Sequence, residues 1–264
     1  TTEVAAILIP AAYLFVGLIL DFCYNDVIAA LRFTGRADVV FNRVDSWILL
    51  GHSVGSMAPL VPVEWVSTFR VIYGAMFPQV GVCLLFLSLS SGLRESLRFI
   101  GTLLNAYYIG LLLFFLAPTA GPSYLAASDP AVVRLLGREA SEFARMLDRF
   151  KFHHVPTSIG LDYLIAFPSM HIAVPLVVLW YMRRWRRVAF ILAIYDLIMA
   201  PTLILLMQHY VIDLIGGVAV AILSIAMIEG LPAWEWRQAA SLYGRPGTSE
   251  SAGAHLTAAT RKAS

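Results

Sequence analysis

The sequence predicts an all-α protein: a polytopic membrane helical bundle of about six transmembrane helices, with further interfacial or amphipathic helices. Of its 264 residues, 59% are hydrophobic and 14% are charged, whereas a soluble domain is closer to ~45–50% apolar and ~25% charged. The mean hydropathy is +0.75. The apolar residues also fall into runs that suit a bilayer core, which is about 30 Å thick and needs about 20 residues per helix. These observations favour an integral membrane protein.

Charge and cysteine content narrow the class of protein further. The formal net charge of +2 is too small to indicate a nucleic-acid partner. Cys23 and Cys83 both lie in apolar surroundings, so they predict neither a disulfide framework nor a zinc site. We therefore expect one membrane-embedded domain over residues 1–230, whose partner is the lipid bilayer, followed by a polar, disordered cytoplasmic tail over residues 231–264.

Three spans are predicted in the first half of the chain. Residues 4–20 form the first, and the absence of a positive n-region and a cleavage site indicates a membrane helix and not a signal peptide. Charges, glycines and prolines interrupt residues 21–64, which predicts short interfacial or re-entrant helices there. The second span covers about residues 65–89, with a kink near Gly74 and Pro78, and the third covers about residues 97–117.

A long polar connection separates the third span from the fourth. Residues 118–123 are rich in proline and glycine and predict a rigid turn. Residues 130–150 have apolar side chains at steps of three or four, with charged residues between them, which is typical of an amphipathic helix on the membrane surface. An alternative interpretation is a lid whose arginines contact lipid phosphates.

Three further spans complete the prediction, and they cover about residues 169–182, 188–207 and 210–228. The four arginines within residues 183–187 mark a cytoplasmic loop by the positive-inside rule, and Arg94 and Arg98 mark another. With six spans, both termini are cytoplasmic. The connection over residues 118–167 and the histidines that follow it then lie on the extracytoplasmic side.

Two of the apolar runs have a histidine at their start. His171 lies near the start of the fourth span and His209 just before the sixth, with Asp213 four residues further on. On a helix, residues four apart share a face, so the carboxylate can accept a hydrogen bond from one imidazole nitrogen and leave the other free. A carboxylate inside a membrane helix costs about 2.5–3.5 kcal/mol on insertion scales unless it has a partner and a use. The pattern predicts a histidine nucleophile, a carboxylate that orients it and a histidine acid.

The same two positions offer an anion site. Backbone N–H groups and the positive end of the helix dipole favour a phosphate at a helix N-terminus. We therefore expect Ser169 and Met170, at the start of the fourth span, to help bind phosphate beside His171. The start of the sixth span, after His209, is expected to contribute in the same way.

These motifs resemble those of the type 2 phosphatidic acid phosphatase (PAP2) superfamily. The tetrapeptide Pro-Ser-Met-His at residues 168–171 is similar to its second signature, and His209-x-x-x-Asp213 is similar to its third. The residues around both motifs look most like the inositol phosphorylceramide synthase branch. The resemblance covers about residues 110–230.

The resemblance implies a role for each member of the triad. His209 is the nucleophile that forms a phosphohistidine, and Asp213 orients and polarises it. His171 protonates the leaving oxygen and then deprotonates the incoming hydroxyl or water. No set of zinc ligands is visible in the sequence, so we expect an enzyme that uses neither a metal nor another cofactor.

The chain departs from the superfamily where that family binds phosphate with cations. The upstream Lys and Arg-Pro signature is missing, because residues 118–122 contain no Lys or Arg, and Thr202 and Leu203 stand where the superfamily has Ser-Arg. Met170 replaces a glycine. A diester carries less charge than a monoester dianion and needs fewer cations, so these departures favour head-group transfer over hydrolysis of a monoester.

Alternatively, basic residues just upstream of His171 supply the missing charge. The candidates are Arg149, Lys151, His153, His154 and the other arginines within residues 134–149.

The predicted function is therefore that of a membrane phosphotransferase that acts on lipid phosphates and transfers a phospho-head group to a lipid alcohol. One alternative is a lipid phosphate phosphatase, which would use water as the acceptor and act on a phosphatidic acid-like or isoprenoid phosphate. Another is a non-catalytic membrane protein or transporter in which the histidines relay protons.

Overall fold

The structure, a computed structural model, describes residues 2–137 and 166–243. Within these ranges the chain is helical apart from turns, which confirms the predicted all-α fold. The α-helices are α1 (Thr2–Arg32), α2 (Arg36–Ile48), α3 (Val66–Gly74), α4 (Met76–Ser91), α5 (Leu93–Leu116), α6 (Pro122–Leu125), α7 (Pro130–Leu136), α8 (Met170–Met182), α9 (Arg186–Leu205) and α10 (Val211–Tyr243). Two 3₁₀ helices, Val54–Leu60 and Val63–Trp65, connect α2 to α3.

Helices form at all six places where the sequence predicts spans. In the described part of the chain, four segments are long and apolar enough to cross a membrane, namely Val63–Ser91, Leu93–Leu116, Arg186–Leu205 and Val211–Gly230. Two shorter apolar segments, Ile7–Asp21 and Met170–Met182, correspond to the first and fourth predicted spans. The protein is therefore a membrane helical bundle, and the number of six crossings stays a prediction.

Helices α5 and α8 lie at the centre of the bundle. Helix α5 packs against α1, α4 and α8, and α8 also packs against α4 and α9. The buried face of α5 repeats at steps of three or four residues, as an amphipathic helix requires, and it consists of Phe99, Leu103, Ala106, Gly110 and Phe114. A buried hydrogen bond of 2.8 Å between the hydroxyls of Thr102 and Tyr181 joins α5 to α8.

The outward faces of the bundle are apolar. Large side chains such as Phe15 on α1, Leu89 on α4 and Leu197 on α9 are exposed. A contiguous apolar surface of this kind is unfavourable in water but suits contact with acyl chains.

The segment predicted as short interfacial helices is partly different in the structure. Helix α1 continues to Arg32, so residues 21–32 extend the first helix. Gly35, with a φ of 71°, then lets the chain turn into α2. Helix α2 and the two 3₁₀ helices are short, as predicted, but both Asp38 and Asp45 of α2 are buried.

The first part of the amphipathic helix predicted over residues 130–150 forms the short helix α7. Helix α7 stops at Leu136, and Gly137 follows with a φ of 63°, a conformation that favours glycine and ends helices. Val132 and Leu136 belong to a small buried cluster with Val54 and Ala58 of the first 3₁₀ helix. This part of the predicted helix therefore packs on the protein, and residues 138–150 lie outside the described residues.

Two compact units, Thr1–Ile225 and Ala226–Ser264, divide the chain. Helix α10 continues to Tyr243, so residues 231–243 are helical where the sequence predicts disorder. Residues 244–264 lie outside the described residues. Every residue of the site described next belongs to the first unit.

Candidate active site

Those predicted site residues that the structure describes lie at one end of the helical bundle, and they are Ser169, Met170, His171, His209 and Asp213. The end of α5, the start of α8, the end of α9 and the start of α10 all meet there. The arginine-rich turn between α8 and α9, and the turn between α4 and α5, lie at the opposite end, because the same helices run between the two ends. Chain topology thus separates the site from the basic loops.

The structure brings His171 and His209 together. Their ring centroids are 5.8 Å apart, with an angle of 55° between the ring planes. Tyr73 of α3 stacks on the His171 ring, with the centroids 3.9 Å apart and the planes at 28°. One phosphoryl group placed between the two histidines could contact both rings.

A backbone carbonyl fixes the orientation of His209. Its Nδ1 lies 2.9 Å from the carbonyl oxygen of Ala166, and because a carbonyl only accepts hydrogen bonds, this nitrogen carries the proton. Nε2 then has a free lone pair, as a nucleophile requires. Asp213 Oδ2 lies 3.6 Å from the same Nδ1, which is too long for a hydrogen bond. The Ala166 carbonyl therefore makes the hydrogen bond that the sequence led us to expect from Asp213.

Asp213 lies beside His209 without a hydrogen bond between the two side chains. Its side chain is fully buried, and its Oδ2 accepts a hydrogen bond of 2.7 Å from the backbone N–H of Tyr210. An ionised carboxylate 3.6 Å from Nδ1 would stabilise a positive charge on the imidazole ring, more strongly in a buried site than in water.

Three buried polar atoms at the site have no hydrogen-bond partner among the described residues: Ser169 Oγ, His171 Nε2 and Asp213 Oδ1. Buried polar groups are nearly always paired, so unpaired ones point to a ligand. A hydroxyl and an imidazole nitrogen suit phosphate oxygens. The chemistry of Ser169 Oγ and His171 Nε2, but not that of the carboxylate oxygen of Asp213, therefore fits a bound phosphoryl group.

The residues at the start of α8 have different environments. The backbone N–H of Ser169 donates to the carbonyl of Asp213 at 3.0 Å, which ties α8 to the first turn of α10. Met170 packs against the main hydrophobic core. Its sulfur fills the space beside Gly110 of α5, where an added Cβ would lie 3.1 Å away. In the structure Met170 contacts α5, and its predicted contact with substrate stays a prediction.

The expectation that the start of α10 binds phosphate is wrong. The N–H groups of Val211 and Ile212 donate to the Asp45 carboxylate of α2, at 2.7 and 3.1 Å. A carboxylate already occupies this helix N-terminus and satisfies its donors.

Asp38 is the second α2 residue that the sequence analysis missed. Its carboxylate accepts hydrogen bonds from the N–H groups of Ala120 and Gly121, at 3.0 and 2.9 Å, and from the hydroxyl of Tyr210 at 3.3 Å. Burial raises the pKa of Asp38 to about 7, although the two N–H donors oppose that shift. The sequence does contain a pattern that could have indicated Asp38 and Asp45: the spacing of Asp38, Phe41 and Asp45 places all three on one helical face.

The turn after α5 connects these groups. Thr119 accepts from the N–H of Ala166 at 3.0 Å through its carbonyl, and from the N–H of Phe167 at 2.9 Å through Oγ1. Gly121 has a φ of 94°, and a Cβ there would lie 2.6 Å from the carbonyl oxygen of Gln208. The turn therefore holds the Ala166 carbonyl in place and packs tightly against the residue before His209.

The sequence raised two questions about phosphate-binding cations: what replaces the Ser-Arg pair, and where the upstream basic residues lie. Thr202 and Leu203, which stand where the superfamily has Ser-Arg, are buried in the bundle. Of the predicted upstream cations, Arg134 is an exposed residue of α7. The others lie outside the described residues, among them Arg149, Lys151, His153 and His154.

Comparison with known families gives one match. A family model described as the PAP2 superfamily matches residues 41–227 of the chain. Searches of curated proteins and of solved structures gave no match. The matched range contains His171, His209 and Asp213, together with Asp45 but not Asp38.

Proposed function

Because the chain belongs to the PAP2 superfamily, we propose that it transfers a phospho-head group from one membrane lipid to a lipid alcohol through a phosphohistidine on His209. Membership supports the coarser statement, an enzyme of the phosphatase or phosphotransferase type that acts on lipid phosphates. The proposal specifies the inositol phosphorylceramide synthase-like reaction. The observation that carries it is the 5.8 Å separation of His171 and His209, with the hydrogen bond from His209 Nδ1 to Ala166 leaving Nε2 free.

In the first step, Nε2 of His209 attacks phosphorus, so that an N–P bond forms and the bond to the leaving oxygen breaks. Protonated His171 gives its proton to that oxygen, and the bound anionic phosphate favours this protonated state. The Nδ1 proton stays on His209 and remains hydrogen-bonded to the Ala166 carbonyl. Asp213 stabilises the positive charge on the phosphorylated ring.

In the second step, neutral His171 takes the proton of an incoming hydroxyl. The hydroxyl oxygen attacks phosphorus, the N–P bond breaks, and His209 recovers its Nε2 lone pair. Protons and electron pairs balance over the two steps without an external reagent. If the incoming group is water, the same residues hydrolyse the lipid phosphate.

Burial at the site supports a lipid acceptor in preference to water. His209 is 3% exposed and Asp213 is fully buried, so bulk water has little access to the reacting atoms. The structure has an apolar groove of about 240 Å³. Two of its lining residues are close in the chain to the site: Phe69 is one turn before Tyr73 on α3, and Leu205 is four residues before His209. The groove is lined by Leu60, Val61, Pro62, Trp65, Phe69 and Leu205. A groove of this composition suits an acyl or isoprenoid chain.

The proposal is tested by trapping the phosphohistidine. Purified full-length protein in lipid nanodiscs is mixed with head-group-labelled [³²P]phosphatidylinositol or with [³²P]phosphatidic acid, and quenched in alkaline detergent, which preserves N–P bonds. We expect label on His209 and its transfer to ceramide or diacylglycerol when either is present. His209→Ala should abolish labelling, and His171→Gln should slow it by about 10²–10⁴-fold, as expected for loss of a general acid.

Three outcomes separate the candidates. Transfer of label to the lipid alcohol supports the proposal, whereas release only as inorganic phosphate means a lipid phosphatase. Absence of labelling from every lipid, together with full folding of His209→Ala, would overturn both and favour a non-catalytic protein or transporter. A parallel reaction with a chelator tests the expected independence from metals.

A further inference from the structure

Helix α2 presents two buried carboxylates on one face. Asp38, Phe41 and Asp45 are spaced by three and four residues, so all three side chains lie on one side of the helix. Both carboxylates are fully buried. Burying an acidic group costs several kcal/mol unless its hydrogen bonds are satisfied. The groups that donate hydrogen bonds to Asp38 and Asp45 therefore determine whether the two carboxylates can be buried.

Two successive hydrogen-bond contacts connect Asp38 to Ala166, whose carbonyl accepts the hydrogen bond from His209 Nδ1. Its carboxylate binds the N–H groups of Ala120 and Gly121 in the turn after α5. Thr119, the preceding residue, binds the N–H of Ala166, and the Ala166 carbonyl accepts the Nδ1 proton of His209. Moving Asp38 therefore moves the group that sets the tautomer of His209.

Asp38 is also connected to His209 through Tyr210. The hydroxyl of Tyr210, the next residue in the chain, donates to Asp38 at 3.3 Å. The backbone N–H of Tyr210 donates to Asp213. Tyr210 is fully buried, and its ring lies 6.2 Å from that of Phe41. The residue beside the nucleophile is thus held by α2.

Asp45 holds the first turn of the helix that carries Asp213. It accepts from the N–H groups of Val211 and Ile212, at 2.7 and 3.1 Å. The cap comes from a residue 166 positions away in the chain, whereas most helix caps are local. This bond fixes where α10 begins relative to α2, and therefore where His209 and Asp213 lie.

We propose that Asp38 and Asp45 are positioning residues that set the tautomer and direction of the His209 ring. Neither carboxylate touches the reacting atoms; both act through backbone groups of the two segments that carry His209 and Asp213. The inference rests on the proposed function for its effect on rate, but its effect on the His209 ring can be measured without any substrate.

The test compares the wild type with Asp38→Asn and Asp45→Asn, each as full-length protein. An asparagine offers one acceptor oxygen and an NH₂ group. At Asp45, where Oδ2 and Oδ1 each accept one N–H, it can keep only one of the two bonds. At Asp38, where Oδ1 accepts from both Ala120 and Gly121, it loses the charge and the second contact of Ala120 N–H with Oδ2 at 3.2 Å. The matched control is Asp129→Asn, because Asp129 caps α7 through the N–H of Ala131 at 2.8 Å and takes no part in the bonds above. Thermal unfolding checks that each variant is folded.

The first readout is the tautomer of His209 in ¹⁵N-histidine-labelled protein in detergent micelles, with its signal assigned from His209→Gln. We expect the Nδ1–H form in the wild type and in Asp129→Asn, and a mixture with the Nε2–H form in the two α2 variants. The second readout is the rate of His209 labelling from [³²P]phosphatidic acid. We expect a fall of about 10²-fold, as for a misplaced reacting group, with KM changed by less than about threefold.

Wild-type tautomer populations in both folded α2 variants would overturn the inference, whatever the labelling shows. A changed tautomer in protein that is never labelled, even as wild type, would support the positioning role and overturn the proposed function instead. If Asp38→Asn does not fold, the Tyr210→Phe variant is used instead, because it removes only the hydroxyl that binds Asp38. A folded Tyr210→Phe with an unchanged His209 tautomer would then count against Asp38.

Discussion

At the scale of single residues, the site depends on how buried polar atoms are paired. His209 Nδ1 donates a hydrogen bond to the Ala166 carbonyl, and Asp213 Oδ2 lies 3.6 Å from the same nitrogen. In the proposed reaction these two contacts have separate tasks, because the carbonyl sets the tautomer and the carboxylate stabilises positive charge. A nucleophilic histidine needs both, since its ring becomes cationic when it is phosphorylated.

Asp38 predicts a pH dependence of stability. Its pKa in the folded protein is about 7, whereas the unfolded value is about 3.9. Between these values the folded protein binds more protons than the unfolded chain, so the Asp38 contribution is fully present below the unfolded pKa. It is lost as the pH rises through about 7.

We therefore expect the Tm of the wild type in detergent to fall between pH 5 and pH 8. Asp38→Asn should show a shallower fall, because asparagine does not titrate. Intrinsic fluorescence during heating at a series of pH values measures both slopes. Parallel slopes for the two proteins would mean that Asp38 does not titrate in this range in the folded state.

At the scale of helices, the site is formed where α8 meets α10. Gly216 and Gly217 allow this contact. An added Cβ at Gly216 would lie 2.5 Å from the Phe167 ring, and one at Gly217 would collide with the backbone carbonyl of Ser169 and lie 3.0 Å from Ile172 Cβ. Backbone cannot move aside as a flexible side chain does, so Gly217 is the stricter requirement.

Gly217→Ala is expected to destabilise the protein by about 1–3 kcal/mol, as overpacking usually does. It should also lower activity, because it pushes the start of α8, with His171, away from α10. The matched control is Gly101→Ala on α5, where an added Cβ meets nothing within 4 Å and alanine favours the helix by up to about 1 kcal/mol. Thermal unfolding and lipid labelling measure both effects. Equal stability and activity in the two variants would show that α8 and α10 do not pack this closely.

At the scale of the whole molecule, the site and the arginine-rich turn lie at opposite ends of the bundle. Helix α8 runs from the site to Met182, and α9 returns from Arg186 to Leu205. By the positive-inside rule, we propose that the arginine-rich end faces the cytoplasm and that the site faces the extracytoplasmic side.

Single-cysteine labelling tests this orientation. In a background without Cys23 and Cys83, we place a cysteine at Trp47, an exposed residue of α2 near the site, or at Ser90, an exposed residue at the opposite end. A membrane-impermeant maleimide should label Trp47→Cys in intact cells and Ser90→Cys only after permeabilisation. The reverse pattern would place the site on the cytoplasmic side.

Local properties of the chain were enough to predict the helical bundle, because apolar runs of bilayer length predict helices whatever their neighbours are. The structure brings the predicted residues His171, His209 and Asp213 together, and their catalytic roles stay predictions. His209 lies just before α10, which begins at Val211, so its approach to Asp213 does not come from a shared helical face. The limits of α1 and α7 were harder to predict. They depend on where a glycine adopts a positive φ, as Gly35 and Gly137 do, and glycine alone does not show whether the chain uses that freedom.

Only the tertiary structure decided what holds the triad in place. The Ala166 carbonyl is a backbone group and has no signature in the sequence. Asp38 and Asp45 look like charges that interrupt an apolar stretch, because their partners are 82 and 166 residues away. A hydrogen bond forms between atoms that are close in space, so its partners become visible only when distant segments fold against each other. The sequence by itself thus determined which groups could react, and tertiary contacts decided how they are oriented.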